Sequence, residues 1–130
     1  MQLGFVTYFV GETITPAIQA GDVLVICSGS GRTSSLVSDA QKAVELGVKL
    51  ATLTIFPEAP IGQLAKMVLK IPGATLKKSE GQQDVVQSVQ PMGTLFEQLS
   101  WLVFDAVILE LIQLNGESEE KMFTRHANLE

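Results

Sequence analysis

Val23-Leu24-Val25-Ile26-Cys27 is an uninterrupted apolar run, and Ser28-Gly29-Ser30-Gly31-Arg32-Thr33 follows it directly. A short apolar run without polar alternation predicts a strand buried on both faces, as in parallel sheets. From Thr33 or Ser34 the period changes. Leu36, Val37, Ala40, Ala43 and Val44 recur at helical spacing until Gly47, which stops the helix. Strand, glycine-rich loop and helix in that order imply a βαβ unit, because a parallel partner strand must be reached over a crossover.

The following residues supply that partner. Val48–Phe56 alternates and then turns apolar through Leu50, Leu53 and Ile55, predicting a strand that ends at Pro57. Ile61–Ala65 predicts a short helical turn, and Met67–Ile71 a further strand closed by Pro72-Gly73. Upstream, the aromatic and β-branched stretch Phe5–Val10 predicts a strand. Thr15-Pro16-Ala17-Ile18 predicts a helical turn with Thr15 as cap and Pro16 at its first position. Gly21-Asp22 predicts a turn, and the polar residues 74–89 a loop. A long helix opens at Pro91 or Met92 and runs to Leu114, where Asn115-Gly116 breaks it; its apolar stretch Leu99–Leu114 reads as buried. Glu117–His126 predicts a last short helix with Ser118 as N-cap. The alternation of strands and helices places the chain in the α/β class.

Composition narrows the functions. The chain has 130 residues, 46% hydrophobic and 18% charged, which suits one domain with a packed core. Asp105 and Glu110 interrupt the Leu99–Leu114 stretch, so no apolar run reaches the ~18 residues of a membrane span. The net charge of −5, with no dense Lys/Arg stripe, argues against nucleic acid as a partner. Cys27 is the only cysteine, so no intrachain disulfide forms, and it reads as a packed, inert thiol. The N-terminus has no signal-peptide pattern, and a cytoplasmic compartment is the simplest reading. No His, Asp and Glu cluster has metal-ligand spacing, so neither metal nor cofactor is expected. Lys77 and Lys78 read as solvated loop charges, and Trp101 and Phe104 as core or subunit-interface packing.

The chemistry concentrates on the loop after the first apolar run. Ligands of open α/β sheets bind beyond the carboxyl ends of the strands. There the glycines admit close backbone approach, Ser28, Ser30, Thr33, Ser34 and Ser35 offer hydroxyls, and a helix N-terminus offers free amides and positive partial charge. Together these residues form an anion cradle. A single helix cap needs one hydroxyl, and this cluster exceeds that need. No Gly-Lys-Ser/Thr follows, so nucleotide triphosphate hydrolysis is not supported. Arg32 reads equally as a phosphate partner or as a surface charge.

The loop Ser28–Thr33 resembles the phosphate loop of the sugar isomerase (SIS) domain, and the chain as a whole resembles the 6-phospho-3-hexuloisomerase family. Val10-Gly11-Glu12-Thr13, Thr15-Pro16, Gly21-Asp22, Pro57-Glu58, Ile61-Gly62-Gln63-Leu64-Ala65 and Lys70-Ile71-Pro72-Gly73 carry the likeness in order. The most specific stretches are Gln90-Pro91-Met92-Gly93-Thr94-Leu95-Phe96-Glu97-Gln98, Phe104–Leu109 and Arg125-His126-Ala127-Asn128-Leu129-Glu130. The resemblance implies a three-layer α-β-α domain with a mostly parallel, flavodoxin-like sheet. It implies one SIS domain over residues 1–130, with a short helix and tail over 115–130. It begins at the equivalent of the family's second strand, so the usual N-terminal helices, first strand and its loop fall outside this sequence. Two further departures are Arg32, where the family usually has an acidic residue, and a longer loop around Gln82–Ser88.

The implied activity interconverts 3-hexulose 6-phosphate and fructose 6-phosphate, in formaldehyde fixation through the ribulose monophosphate pathway, by a homo-oligomer (dimer or tetramer). By the resemblance, Ser28, Ser30, Gly31 and Thr33 hold the substrate phosphate. Glu97 is the base that forms the enediol, and His126 is a second acid–base group, lent by a neighbouring subunit. Such chemistry needs no redox cofactor, only a base beside the carbonyl and an acid to reprotonate the next carbon. Leu95, Phe96 and Leu99 would supply apolar surroundings that lift the Glu97 pKa, against a helix N-terminus that lowers it. His126, the only histidine, has an intrinsic pKa suited to proton transfer. The competing readings are a SIS module that binds sugar phosphate without turnover and an inactive truncated isomerase. The long helix is apolar enough that a lone subunit would expose part of it.

Overall fold

The computed structural model describes residues 2–76, 81 and 86–126. They form two compact units. One is Ile18–Trp101; the other joins Met1–Ala17 to Leu102–Glu130.

In the Ile18–Trp101 unit, β1 (Val23–Cys27), β2 (Lys49–Thr54) and β3 (Met67–Lys70) form a parallel sheet in the order β1-β2-β3. Val23 pairs with Lys49 and Cys27 with Leu53; Ala51 pairs with Met67 and Thr54 with Lys70. The crossovers are α1 (Ser34–Glu45) and α2 (Pro60–Leu64). The five consecutive strand and helix predictions here match the observed elements to within a few residues. Because strand side chains alternate, Leu24, Ile26, Leu50 and Thr52 share one face. Ile26, Leu50, Ala40 of α1 and Ile61 of α2 form the core, with Leu24, Leu36, Val37 and Leu64 packed against it. The Thr52 hydroxyl is sealed inside but donates to the Ile26 carbonyl at 2.8 Å, so the buried polar atom is satisfied.

The opposite face differs from expectation. Val23, Val25 and Cys27 of β1, with Met67 and Leu69 of β3, are exposed there. β1 is therefore not buried on both faces. α1 and α2 cover one side, and β1 and β3 are the outer strands of the sheet among the described residues. Val44, expected on the apolar face of α1, is also exposed. α1 ends as its sequence dictates. Gly47 is left-handed (φ 75°), its amide donates to the Val44 carbonyl, and the Val48 amide reaches back to Ala43 at 2.9 Å.

The helix α3 spans Thr94–Leu114, with its first eight residues in the sheet-bearing unit. Only Phe96 and Ser100 on it are buried. Trp101 is 73% exposed, and Leu102, Val107, Ile108, Leu109 and Leu114 are exposed as well. The expected buried helix is thus an exposed one: its apolar residues surround the axis rather than forming one stripe that a single neighbour could cover. No helix among the described residues is long and apolar enough to cross a membrane.

In the second unit, Phe5–Val10 forms no strand, and Phe5, Val6, Tyr8, Phe9 and Val10 are exposed. β propensity reflects packing against neighbours, and among the described residues of its unit this run has no strand to pair with. No helical turn forms at Thr15–Ile18 either. The Thr15 hydroxyl instead donates to the Phe9 and Glu12 carbonyls at 2.9 and 3.0 Å, which ties it to the preceding turn and removes it as a cap. The short helix α4 (Glu119–Phe123) forms as expected, with Ser118 Oγ accepting from the Lys121 amide at 3.3 Å. Arg125 makes a two-pronged ion pair with Glu117 at 3.1 and 3.2 Å and donates to the Gln2 carbonyl at 2.7 Å.

Candidate active site

The loop after β1 is held from below by the sheet. The Ser28 amide donates to the Leu53 carbonyl, and the Gly29 carbonyl accepts from the Ile55 amide at 3.1 Å and the Thr54 hydroxyl at 3.3 Å. Gly31 turns the chain in the left-handed region (φ 62°), and a Cβ there would lie 2.7 Å from the Ala59 Cβ. Only glycine satisfies both conditions. Its carbonyl accepts from the Ile61 amide, so the loop is tied to the start of α2.

Ser28 and Ser30 are 6% and 5% exposed. Ser28 Oγ accepts from the Gly31 amide at 3.1 Å, and Ser30 Oγ accepts from the Arg32 amide at 3.3 Å. The amides of Gly31 and Arg32 are therefore used within the loop, although the glycines were expected to turn theirs to a ligand. Each serine retains its own hydroxyl proton to donate elsewhere. Thr33 occupies the N-cap position of α1, yet its side chain makes no capping bond. Its hydroxyl is therefore not spent on capping the helix. The first-turn amides of Ser34, Ser35 and Leu36 have no acceptor in the helix.

Phe96 brings a second element to this loop. A Cβ on Gly29 would stand 3.4 Å from the Phe96 ring, and one on Gly73 would stand 3.1 Å from the Phe96 Cβ and the Ile55 Cδ1. The buried Phe96 thus seats the start of α3 on Gly29, Ile55 and Gly73. Glu97 is the next residue. Its amide donates to the Gly93 carbonyl at 3.0 Å, and its Oε1 lies 3.9 Å from where a Gly93 Cβ would be, so the carboxylate folds back over the first turn. Glu97 is exposed. The apolar enclosure expected from Leu95, Phe96 and Leu99 is absent, because Phe96 and Ser100 occupy the inward side of the helix and Glu97 lies off it. Met92, just before α3, is held at φ 53° in the left-handed region. That is uncommon for a residue with a side chain.

Ser28, Ser30, Gly31 and Thr33 therefore share one loop, and Glu97 adjoins the residue that packs on it. His126 belongs to the other unit, where its ring stacks on Phe123 with centroids 6.3 Å apart. Lys77, Lys78 and the tail beyond His126 lie outside the described residues. Cys27, expected to be packed, is exposed, because its side chain points to the open sheet face. Desolvation by its surroundings still pushes the thiol pKa up from its ordinary value, which makes it a poor nucleophile. Two features escaped the sequence reading: Phe96 as the link between loop and helix, and an Arg32 Nε buried without a partner. The spacing of Gly29, Gly73 and an aromatic residue carries no local periodicity, so only tertiary contact reveals the first. Among the described residues no group of three or more His, Cys, Asp or Glu is placed to hold a metal ion.

Residues 2–102 match the SIS domain family. The chain belongs to that family. A 3-hexulose-6-phosphate isomerase of Bacillus subtilis is 46% identical over the whole chain, which covers 69% of that protein. The 3-hexulose-6-phosphate isomerase of Mycobacterium gastri is 40% identical, again over the whole chain, which covers 63% of it. Among solved structures, a hypothetical protein of Methanococcus jannaschii, inferred to be a 3-hexulose-6-phosphate isomerase, superimposes with a TM-score of 0.83 at 30% identity. That superposition covers 99% of this SIS chain and 66% of the other. The SIS chain thus spans about two thirds of the length of these relatives.

Proposed function

We propose that the chain isomerises 3-hexulose 6-phosphate to fructose 6-phosphate through an enediol, serving formaldehyde fixation in the ribulose monophosphate pathway. The observation that carries this is the 46% identity to the Bacillus subtilis isomerase along every part of the chain. The placement of the loop adds support: its hydroxyl-bearing residues lie between the carboxyl end of β1 and the N-terminus of α1, where a sugar phosphate would bind.

Ser28, Ser30 and Thr33 hold the phosphate through their hydroxyls, and Gly31 shapes the turn that presents them. With the phosphate fixed, the Glu97 carboxylate removes the proton from C2, next to the C3 carbonyl, and the electron pair moves to make the enediol. Proton return to C3, and loss of the proton on the C2 oxygen as its carbonyl forms, completes fructose 6-phosphate with no net change in atoms or electrons. His126 is the group that moves protons between the two oxygens, lent by a neighbouring subunit of a homo-oligomer. The exposed apolar residues of α3 favour such an assembly, since a solitary subunit leaves Trp101, Leu102, Leu109 and Leu114 in water.

The test is fructose 6-phosphate formation from enzymatically generated 3-hexulose 6-phosphate. Wild type turns over; Glu97→Gln loses about two to four orders of magnitude in kcat while phosphosugar affinity is retained. Comparable turnover in the variant removes Glu97 as the base, and no turnover in the wild type removes the isomerase reading.

A further inference from the structure

We propose that Arg32 is a substrate-recognition residue that grips the phosphoryl group of the phosphosugar, a reading that rests on the loop being the phosphosugar site. Arg32 lies between Gly31 and Thr33, two residues before α1 begins. Its amide is bound to Ser30 Oγ at 3.3 Å, which fixes the root of the side chain beside the two buried serines. The side chain is partly buried, and its Nε is sealed from solvent with no hydrogen-bond partner. Its guanidinium makes no ion pair among the described residues.

A buried donor without an acceptor is rare in folded proteins, and for a charged group it is costly, so a missing acceptor calls for a ligand. The surroundings determine what that ligand must be. The loop offers further donors beside Arg32: the hydroxyls of Ser28, Ser30 and Thr33, and the first-turn amides of α1. Within Ser28–Ser35 Arg32 is the sole formal charge. A phosphate monoester carries about −1.5 to −2 charge near neutrality and three acceptor oxygens. The planar guanidinium fork matches two such oxygens at once, which an ammonium cannot do. The loop hydroxyls thus supply geometry, and Arg32 supplies the charge that separates a phosphorylated sugar from a neutral one.

The experiment is calorimetric titration of the full chain with fructose 6-phosphate, with inorganic phosphate and with unphosphorylated fructose, at low and high salt. Arg32→Gln is expected to weaken fructose 6-phosphate binding at least about tenfold, with Arg32→Lys intermediate. Fructose should not distinguish the three proteins, and the salt dependence of phosphosugar binding should flatten in Arg32→Gln. Without ligand, Arg32→Gln should melt no lower than wild type, since the buried Nε–H it removes has no partner to lose. Unchanged phosphosugar affinity in Arg32→Gln overturns the assignment and leaves the loop reading standing. A ligand-free melting temperature that falls together with the affinity makes the residue structural and overturns it too. Failure of the wild type to bind either fructose 6-phosphate or inorganic phosphate overturns both the assignment and the loop reading beneath it.

Discussion

Replacing Gly31 with alanine tests the geometry on which the loop depends. Two independent costs arise. A residue with a Cβ pays about 1–2 kcal/mol to adopt the left-handed conformation seen at φ 62°. The new methyl would also approach the Ala59 Cβ to 2.7 Å. Both atoms are bonded directly to backbone, so neither can swing aside, and the start of α2 must shift. Overpacking of this kind costs about 1–3 kcal/mol. The sum is about 2–5 kcal/mol, a large share of the stability of an ordinary domain. Urea unfolding followed by circular dichroism measures the loss. The two costs separate in the background of Ala59→Gly, which deletes the opposing methyl: there Gly31→Ala should cost only the conformational part. The double-mutant cycle should therefore show a coupling of about 1–3 kcal/mol. Equal costs in both backgrounds would refute the close approach, and a cost below about 0.5 kcal/mol in either would refute the left-handed turn.

Two further outcomes follow from the same unit. Phe96→Ala removes the buried ring that seats α3 on Gly29 and Gly73, and it should destabilise the fold by about 3–5 kcal/mol in urea unfolding while weakening turnover through the displaced Glu97. Cys27 should react to completion with an aromatic disulfide in the native state, because it is exposed. Its rate should be slow near neutrality and keep climbing to a pH above the ordinary thiol range, since a raised pKa leaves less thiolate at any given pH; native protection from the reagent would contradict the placement.

The sheet was legible because its signals are local. An apolar run, a glycine-rich turn and a 3.6-residue period sit in unbroken succession from Val23 to Leu53, and β1, α1 and β2 follow them. What failed was the reading of burial, since burial depends on what lies opposite. Val25 and Cys27 are apolar enough for either face of a parallel sheet, and nothing in the run says which face a helix will cover. Phe5–Val10 failed for a related reason: a strand needs an edge to pair with, and composition cannot provide one. The loop Ser28–Thr33 drew attention through its residue types, but its internal wiring was not legible. That Ser28 and Ser30 take the amides of Gly31 and Arg32, and that Thr33 leaves its helix uncapped, depends on torsion angles the sequence does not display.

The uncovered face of the sheet also sets the colloidal behaviour of the chain. Among the described residues β1 presents a five-residue, uncharged, β-prone segment at a sheet boundary, with Asp22 before it and no charge again until Arg32. Such a segment can template the addition of another strand, and charge repulsion is the main restraint on that process. The net charge of −5 supplies the restraint at neutral pH. As acid neutralises the carboxylates and the net charge approaches zero, β1 is the segment at which copies of the chain are expected to adhere. Handling of the protein is therefore governed by this strand: solubility falls toward the isoelectric region, and a charged side chain at Val25, on the open face, would extend the usable range without touching the core that Ile26 builds.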